Sequence, residues 1–145
     1  VSSLKKNLKL QKILKSLPGN KYIYTKGSKS HAINVMKRLG INNYITKIFD
    51  IENANYIPKP SMKPLKYFIK KYNLLAKEAI FFEDIPKNLI NTKKVGFQTV
   101  LIKNNSHPDN NTDILDKEKL QHDFVDHISF DITASLEQIY LDINN

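Results

Sequence analysis

Residues 79–89, AIFFEDIPKNL, constrain this chain more than any other stretch. Ala79 to Phe82 make the pattern of a short, fully buried strand, two acids (Glu83 and Asp84) stand where that strand runs out, and Pro86 opens a helix. Strand ends of this kind are where α/β sheets keep their chemistry. A carboxylate fixed there can hold a hard cation such as Mg²⁺ when further oxygen ligands come in from neighbouring strands.

The flanking chain alternates helical and extended patterns. Leu4, Leu8, Ile13, Leu14 and Leu17 recur at roughly helical spacing among lysines until Pro18 and Gly19, and Lys21 to Thr25 follows as a strand. Ser28 or Ser30 is placed to cap a helix carrying Ala32, Ile33, Val35, Met36 and Leu39, which Gly40 ends. One helical turn after Asn42 leads into a short strand at Ile48 to Asp50. Pro64 to Tyr72 is helical, as is Pro86 to Val95, with Phe97 to Ile102 extended between the latter and a polar loop at 104–112. A weak strand at Phe124 to Ile128 and an amphipathic helix from Thr133 to Ile143 close the chain. The class expected is α/β, Rossmann-like, with a mainly parallel sheet and flanking helices.

Composition narrows the function. At 145 residues the chain is one domain's worth, and the absence of cysteine excludes disulfides, thiolate chemistry and Cys-ligated zinc. No apolar run is long enough for a membrane span and the Lys-rich start is no signal peptide, so a soluble cytoplasmic protein without membrane partners is the default. The net charge is +9, with no acid before Asp50. Such a surface suits phosphorylated small molecules better than nucleic acid, because Arg38 is the only arginine and phosphate and base recognition favour arginine's bidentate fork. Abundant Lys, Asn and Ile also fit a compositional drift of the whole genome.

Three loops after strand-like elements hold the candidate chemistry: Thr25 to Gly27, Lys59 with Pro60, and Glu83 with Asp84. In a parallel sheet they leave by one edge, offering a hydroxyl with backbone amides, an ammonium group and a carboxylate pair. That set suits a phosphoryl group, with Thr25 and amides on its oxygens, Lys59 offsetting its charge and Asp84 on the metal. Taken singly, each has a plainer reading: Thr25 as a turn residue, Gly27 as relief of backbone strain, Asp84 as a helix N-cap, Asn88 and His31 as surface groups. His107, His122 and His127 receive no role.

Taken together, YIYTKGSKSHAINVMKRLGI, IPKP, IFFEDIPKNL and GFQTVLI resemble the haloacid dehalogenase (HAD) superfamily of phosphatases, most closely its pyrimidine 5'-nucleotidase group. The resemblance makes Thr25 the second motif, Lys59 the third, and Glu83 with Asp84 the acidic fourth, with Asn88 and His31 at positions that group's pattern also carries. It implies Thr25, Lys26, Gly27, Lys59, Asn88 and His31 as phosphate- or substrate-binding residues, Thr25 and Lys59 as catalytic, and Asp84 and Glu83 as Mg²⁺ residues. Lys26 departs from the group's usual Asn. The family's first motif, an Asp-x-Asp pair that supplies nucleophile and general acid, has no counterpart here. Residues 1–145 are thus expected to be the C-terminal part of a single HAD-like core lacking its central first strand and cap, with 1–20 a remnant of the connection from that cap.

The resemblance implies a Mg²⁺-dependent phosphatase acting on a nucleoside monophosphate or similar small phosphoester through an aspartyl phosphate, inactive as this fragment. The rival readings are a non-catalytic α/β module that binds phosphate or a partner, and a Lys-rich nucleic-acid binder. The substrate and the oligomeric state are not written in the sequence.

Overall fold

The computed structural model describes residues 4–103 and 123–145, so the polar loop at 104–112, His107 and His122 lie outside the described residues. The chain divides into two compact units, Val1–Pro58 with Thr133–Asn145, and Lys59–Ile132. Among the described residues all strand pairing is parallel, and the strands form two sheets, one in each unit. The α/β class read from the sequence is therefore the observed one.

In the first unit, α1 (Leu8–Ser16) starts at Asn7, whose side-chain oxygen accepts from the Leu10 N–H at 3.0 Å. Its lysine-flanked apolar face buries Leu10, Ile13 and Leu14. At its other end the Lys21 ammonium donates to the Leu17 and Gly19 carbonyls at 2.6 and 2.9 Å, a cation where helix carbonyls run out. Strand β1 (Tyr22–Tyr24) pairs with β2 (Lys47–Phe49) in the register Tyr22 to Lys47 and Tyr24 to Phe49. Phe49 is fully buried, with the Tyr24 ring 4.9 Å from it. Burial pushes the Tyr24 phenol up to about 12. Between the strands lies α2 (Lys29–Leu39), which ends at Gly40 with φ +79°, a left-handed conformation that Gly reaches at least cost.

In the second unit, α3 (Met62–Lys71) buries Pro64, Leu65 and Phe68, and β3 (Ile80–Glu83), β4 (Gln98–Ile102) and β5 (His127–Ser129) stand in that order across the sheet. Pro86 begins a 3-10 turn, Pro86–Leu89, that runs into the short helix α4 (Ile90–Lys94). Leu89, Leu101 and Val125 centre the core, with Phe81, Phe124 and Ile128 packed against them. The last helix, α5 (Ile132–Ile143), belongs from Thr133 onward to the first unit.

Three expectations change here: the strand expected at Phe124 to Ile128 is His127–Ser129, the helix expected from Pro86 opens as a 3-10 turn, and the stretch before Glu83 is less buried than its pattern predicts. Ile80, Phe81 and Phe82 are only half-buried, not fully buried. The reason is position: β3 stands at the edge of its sheet, paired on one side with β4, while Thr99, Val100 and Leu101 of the middle strand are the buried ones. No helix among the described residues is long and apolar enough to cross a membrane.

Candidate functional site

The end of β3 is built around Glu83, not around a capping Asp84. Glu83 is 6% exposed, and both of its carboxylate oxygens are taken. Oε1 accepts from the Lys59 ammonium at 2.6 Å and from the Asn88 amide at 3.2 Å; Oε2 accepts from the Asp84 and Ile85 N–H groups at 2.9 and 3.2 Å. Those two amides precede the Pro86 turn, whose N-cap position is Ile85, so Glu83 fastens the bend that leads from β3 into that turn. Its burial is tolerable because every lone-pair direction has a donor.

These contacts set the charges. Burial pushes the Glu83 carboxyl up, but hydrogen bonding with Asp84, the Lys59 hydrogen bond and charge, and the Ile85 N–H outweigh it and hold the group below its ordinary value. Asp84 moves the other way: its hydrogen-bonding contact with Glu83, partial burial and the Glu83 charge raise it. Asp84 is exposed, whereas Glu83 is buried. Asn88 is 7% exposed, donates to Glu83, and keeps a buried Oδ1 with no hydrogen-bond partner among the described residues. The structure thus brings Lys59, Glu83, Asp84 and Asn88 together.

The other candidates lie on the loop that leaves β1. The Thr25 N–H continues the ladder to the Phe49 carbonyl at 3.0 Å, and Thr25 Oγ1 accepts from the Gly27 N–H at 3.0 Å. With the oxygen accepting, the hydroxyl hydrogen is left to donate. Ser28, the observed cap of α2, accepts from the His31 N–H at 3.1 Å; Lys26 and His31 are exposed. Gly27 is not in the left-handed region, so strain relief does not explain it; an added Cβ would stand 3.5 Å from Thr25 Oγ1, in ordinary contact.

Two positioning groups escaped the sequence reading. Asp50, 6% exposed, accepts from the Lys29 N–H at 3.0 Å and the Asn53 N–H at 2.9 Å, and its own N–H donates to Asn53 Oδ1 at 3.0 Å. It ties the first turn of α2 to the loop after β2. The available signal was that Asp50 is the first acid in the chain and ends a strand. Asn91 donates to the Pro60 carbonyl at 2.6 Å and pins the turn that carries Lys59; an Asn in a helix gives no such signal.

A model of the haloacid dehalogenase-like hydrolases matches residues 4–102, more than half of the chain. The chain belongs to that family. Among solved structures, this HAD-like hydrolase is similar to an L-2-haloacid dehalogenase (TM-score 0.68, 14% identity, 92% of this chain and 54% of the other). It is also similar to a HAD phosphatase from Thermococcus onnurineus (TM-score 0.65, 21% identity, 90% and 54%) and a HAD-family hydrolase from Bacillus subtilis bound to magnesium (TM-score 0.66, 16% identity, 92% and 54%). At such identities the likeness is one of fold. The HAD-like chain spans about half the length of these structures. No protein with a curated description matches it by sequence.

The donors at the end of β3 fit a magnesium ion that keeps most of its water. Among the described residues no three His, Cys, Asp or Glu side chains gather as a metal cage, and Mg²⁺ commonly takes only one or two carboxylates. Asp84, exposed and raised by its acidic neighbour, is the carboxylate a cation would relieve. Glu83, with both oxygens committed, is suited to orienting rather than ligating, and the Asn88 Oδ1 is an oxygen still without a donor.

Proposed function

We propose that this HAD-like hydrolase is a Mg²⁺-dependent phosphatase whose substrate is a nucleoside monophosphate or a similarly small phosphoester. The observation that carries the reading is the division of labour between two adjacent acids: Glu83 spends its charge on Lys59 and on backbone amides, while Asp84 is left exposed. A hydrolase needing a negative site for a cation beside a cation for a phosphoryl oxygen is served by that arrangement. The likeness to the Thermococcus phosphatase agrees with it.

In this reading Thr25 donates its hydroxyl hydrogen to a phosphoryl oxygen, with the Lys26 and Ser28 N–H groups as further donors, since the Gly27 and Lys29 N–H groups are committed to Thr25 and Asp50. Lys59, held by Glu83 and by the Asn91-pinned turn, offsets charge as it grows on the transferring group. Glu83 fixes Lys59, and Asn88 fixes Glu83. When bound at Asp84, Mg²⁺ would supply charge neutralisation. Lys26, Gly27 and His31 bound the substrate side of the loop.

The test is hydrolysis by the full-length gene product. Activity on p-nitrophenyl phosphate or uridine 5'-monophosphate that requires Mg²⁺ and disappears in Asp84→Asn is the expected result. Undiminished turnover by Asp84→Asn would remove the site assignment. Phosphate binding with no turnover of any phosphoester would favour the non-catalytic module.

A further inference from the structure

Tyr56 sits where folding alone would not put a tyrosine. Its backbone has φ +61°, directly after Asn55 at φ +53°, so two residues that are not glycine occupy the left-handed region in succession. Asn tolerates that region; a bulky aromatic does so at a cost. Nor does the ring recover the cost by burial, because Tyr56 is 70% exposed. Glycine would suit the backbone better, and a polar residue would suit the exposure.

The conformation is nevertheless firmly built. Tyr56 N–H donates to the Ile51 carbonyl at 2.8 Å, Asn55 N–H to Glu52 at 3.0 Å, Ile57 N–H to Ala54 at 3.1 Å and Ala54 N–H to Asp50 at 3.1 Å, with Ala54 itself buried. The reciprocal Asp50–Asn53 pair locks the start of this loop. The same loop is fastened to the one bearing Thr25: the Ile51 N–H donates to the Gly27 carbonyl at 3.2 Å, and Asp50 accepts from the Lys29 N–H. The backbone of Tyr56 is therefore two hydrogen-bonded steps from Gly27, through Ile51. Strain retained against folding, in a rigid loop fastened to a binding loop, is the pattern of a residue kept for recognition.

We infer that Tyr56 is a specificity residue that stacks on a planar ring in the leaving group of the phosphoester, the nucleobase of a nucleoside monophosphate. The inference rests on the phosphatase reading and deepens it, for inorganic phosphate and a sugar phosphate lack the ring. One base stacked on an aromatic side chain is worth roughly a tenfold gain in affinity.

Calorimetric titration in Mg²⁺ with uridine 5'-monophosphate, ribose 5-phosphate and inorganic phosphate tests it. The protein should bind the nucleotide roughly tenfold more tightly than ribose 5-phosphate. Tyr56→Phe should keep that preference. Tyr56→Leu and Tyr56→Gly should erase it while leaving ribose 5-phosphate affinity unchanged, and Tyr56→Gly should melt at a higher temperature than the parent. A preference that survives in Tyr56→Leu and Tyr56→Gly, or one absent from the parent, overturns the inference and leaves the phosphatase reading standing. Failure to bind any of the three phosphates overturns both.

Discussion

Lys59 and Glu83 form a partly buried ion pair, with Nζ 2.6 Å from Oε1 and the two side chains 18% and 4% exposed. Glu83 is simultaneously the acceptor for Asn88 and for two backbone amides. Deleting it would remove the acceptor shared by four donors, one of them the shielded Lys59 ammonium. Glu83→Ala should therefore cost about 3 kcal/mol of stability, the low end for a broken buried pair because Lys59 retains some water. Glu83→Gln, which keeps an acceptor of the same shape, should cost less. Urea denaturation measures both, and equal midpoints for Glu83→Ala and the parent would show that the cluster adds nothing to stability.

Asp84 should behave in the opposite sense. Its carboxyl is raised in the folded chain, so the native state holds its proton more tightly than the unfolded chain does, and stability falls as pH rises through that interval. In metal-free buffer at neutral pH, Asp84→Asn should melt above the parent, and added Mg²⁺ should raise the parent's melting temperature and not the variant's. Thermal scans in EDTA and in Mg²⁺ read both effects.

Acid should unfold the protein through Glu83 and Asp126. Both are held below their ordinary values. At Asp126 burial pushes upward, but the Lys93 hydrogen bonds, at 2.7 and 2.9 Å, and the Thr99 N–H win. A depressed carboxyl contributes stability above its unfolded value, and loses it as pH falls through the folded one. Melting temperature should fall steeply below the ordinary carboxylate range, and the fall should be shallower in Glu83→Gln with Asp126→Asn.

Asp50→Ala should cost about 3 kcal/mol, since two hydrogen bonds to a buried carboxylate are lost at about 1.5 kcal/mol or more each. Amide exchange should quicken at Lys29 and Asn53 before it does in β4. Exchange unchanged at both amides would sink the positioning role.

Thr99 is fully buried; its hydroxyl donates to the Phe124 carbonyl at 2.6 Å and accepts from the Asp126 N–H at 3.0 Å. Thr99→Val keeps the shape but removes the donor to the Phe124 carbonyl, while the Asp126 N–H keeps the Thr99 backbone carbonyl at 3.2 Å, for a loss of about 1 kcal/mol. Chemical denaturation provides the check.

What the sequence determined by itself is local. Helical spacing of Ile13 and Leu14, the cap at Ser28 and the stop at Gly40 follow from neighbours within a few positions and stand where those signals put them, whereas Leu8 of the same spacing is 70% exposed with Leu10 buried instead, and Pro86 opens a 3-10 turn before the short helix. The loops bearing Thr25 and Glu83 with Asp84 were legible for the same reason, because each follows a strand, whereas turns at 51–56 separate Lys59 from β2. Only tertiary structure decided which acid takes which partner. Glu83 is buried against Lys59, 24 residues away in sequence, and against Asn88, while Asp84, one residue on in the bend after β3, is exposed. The roles of Asp50, which reaches Lys29 across 21 residues, and of Thr99, which reaches Phe124 across 25, were invisible for the same cause: hydrogen bonds between distant positions leave no periodic trace in the chain that makes them.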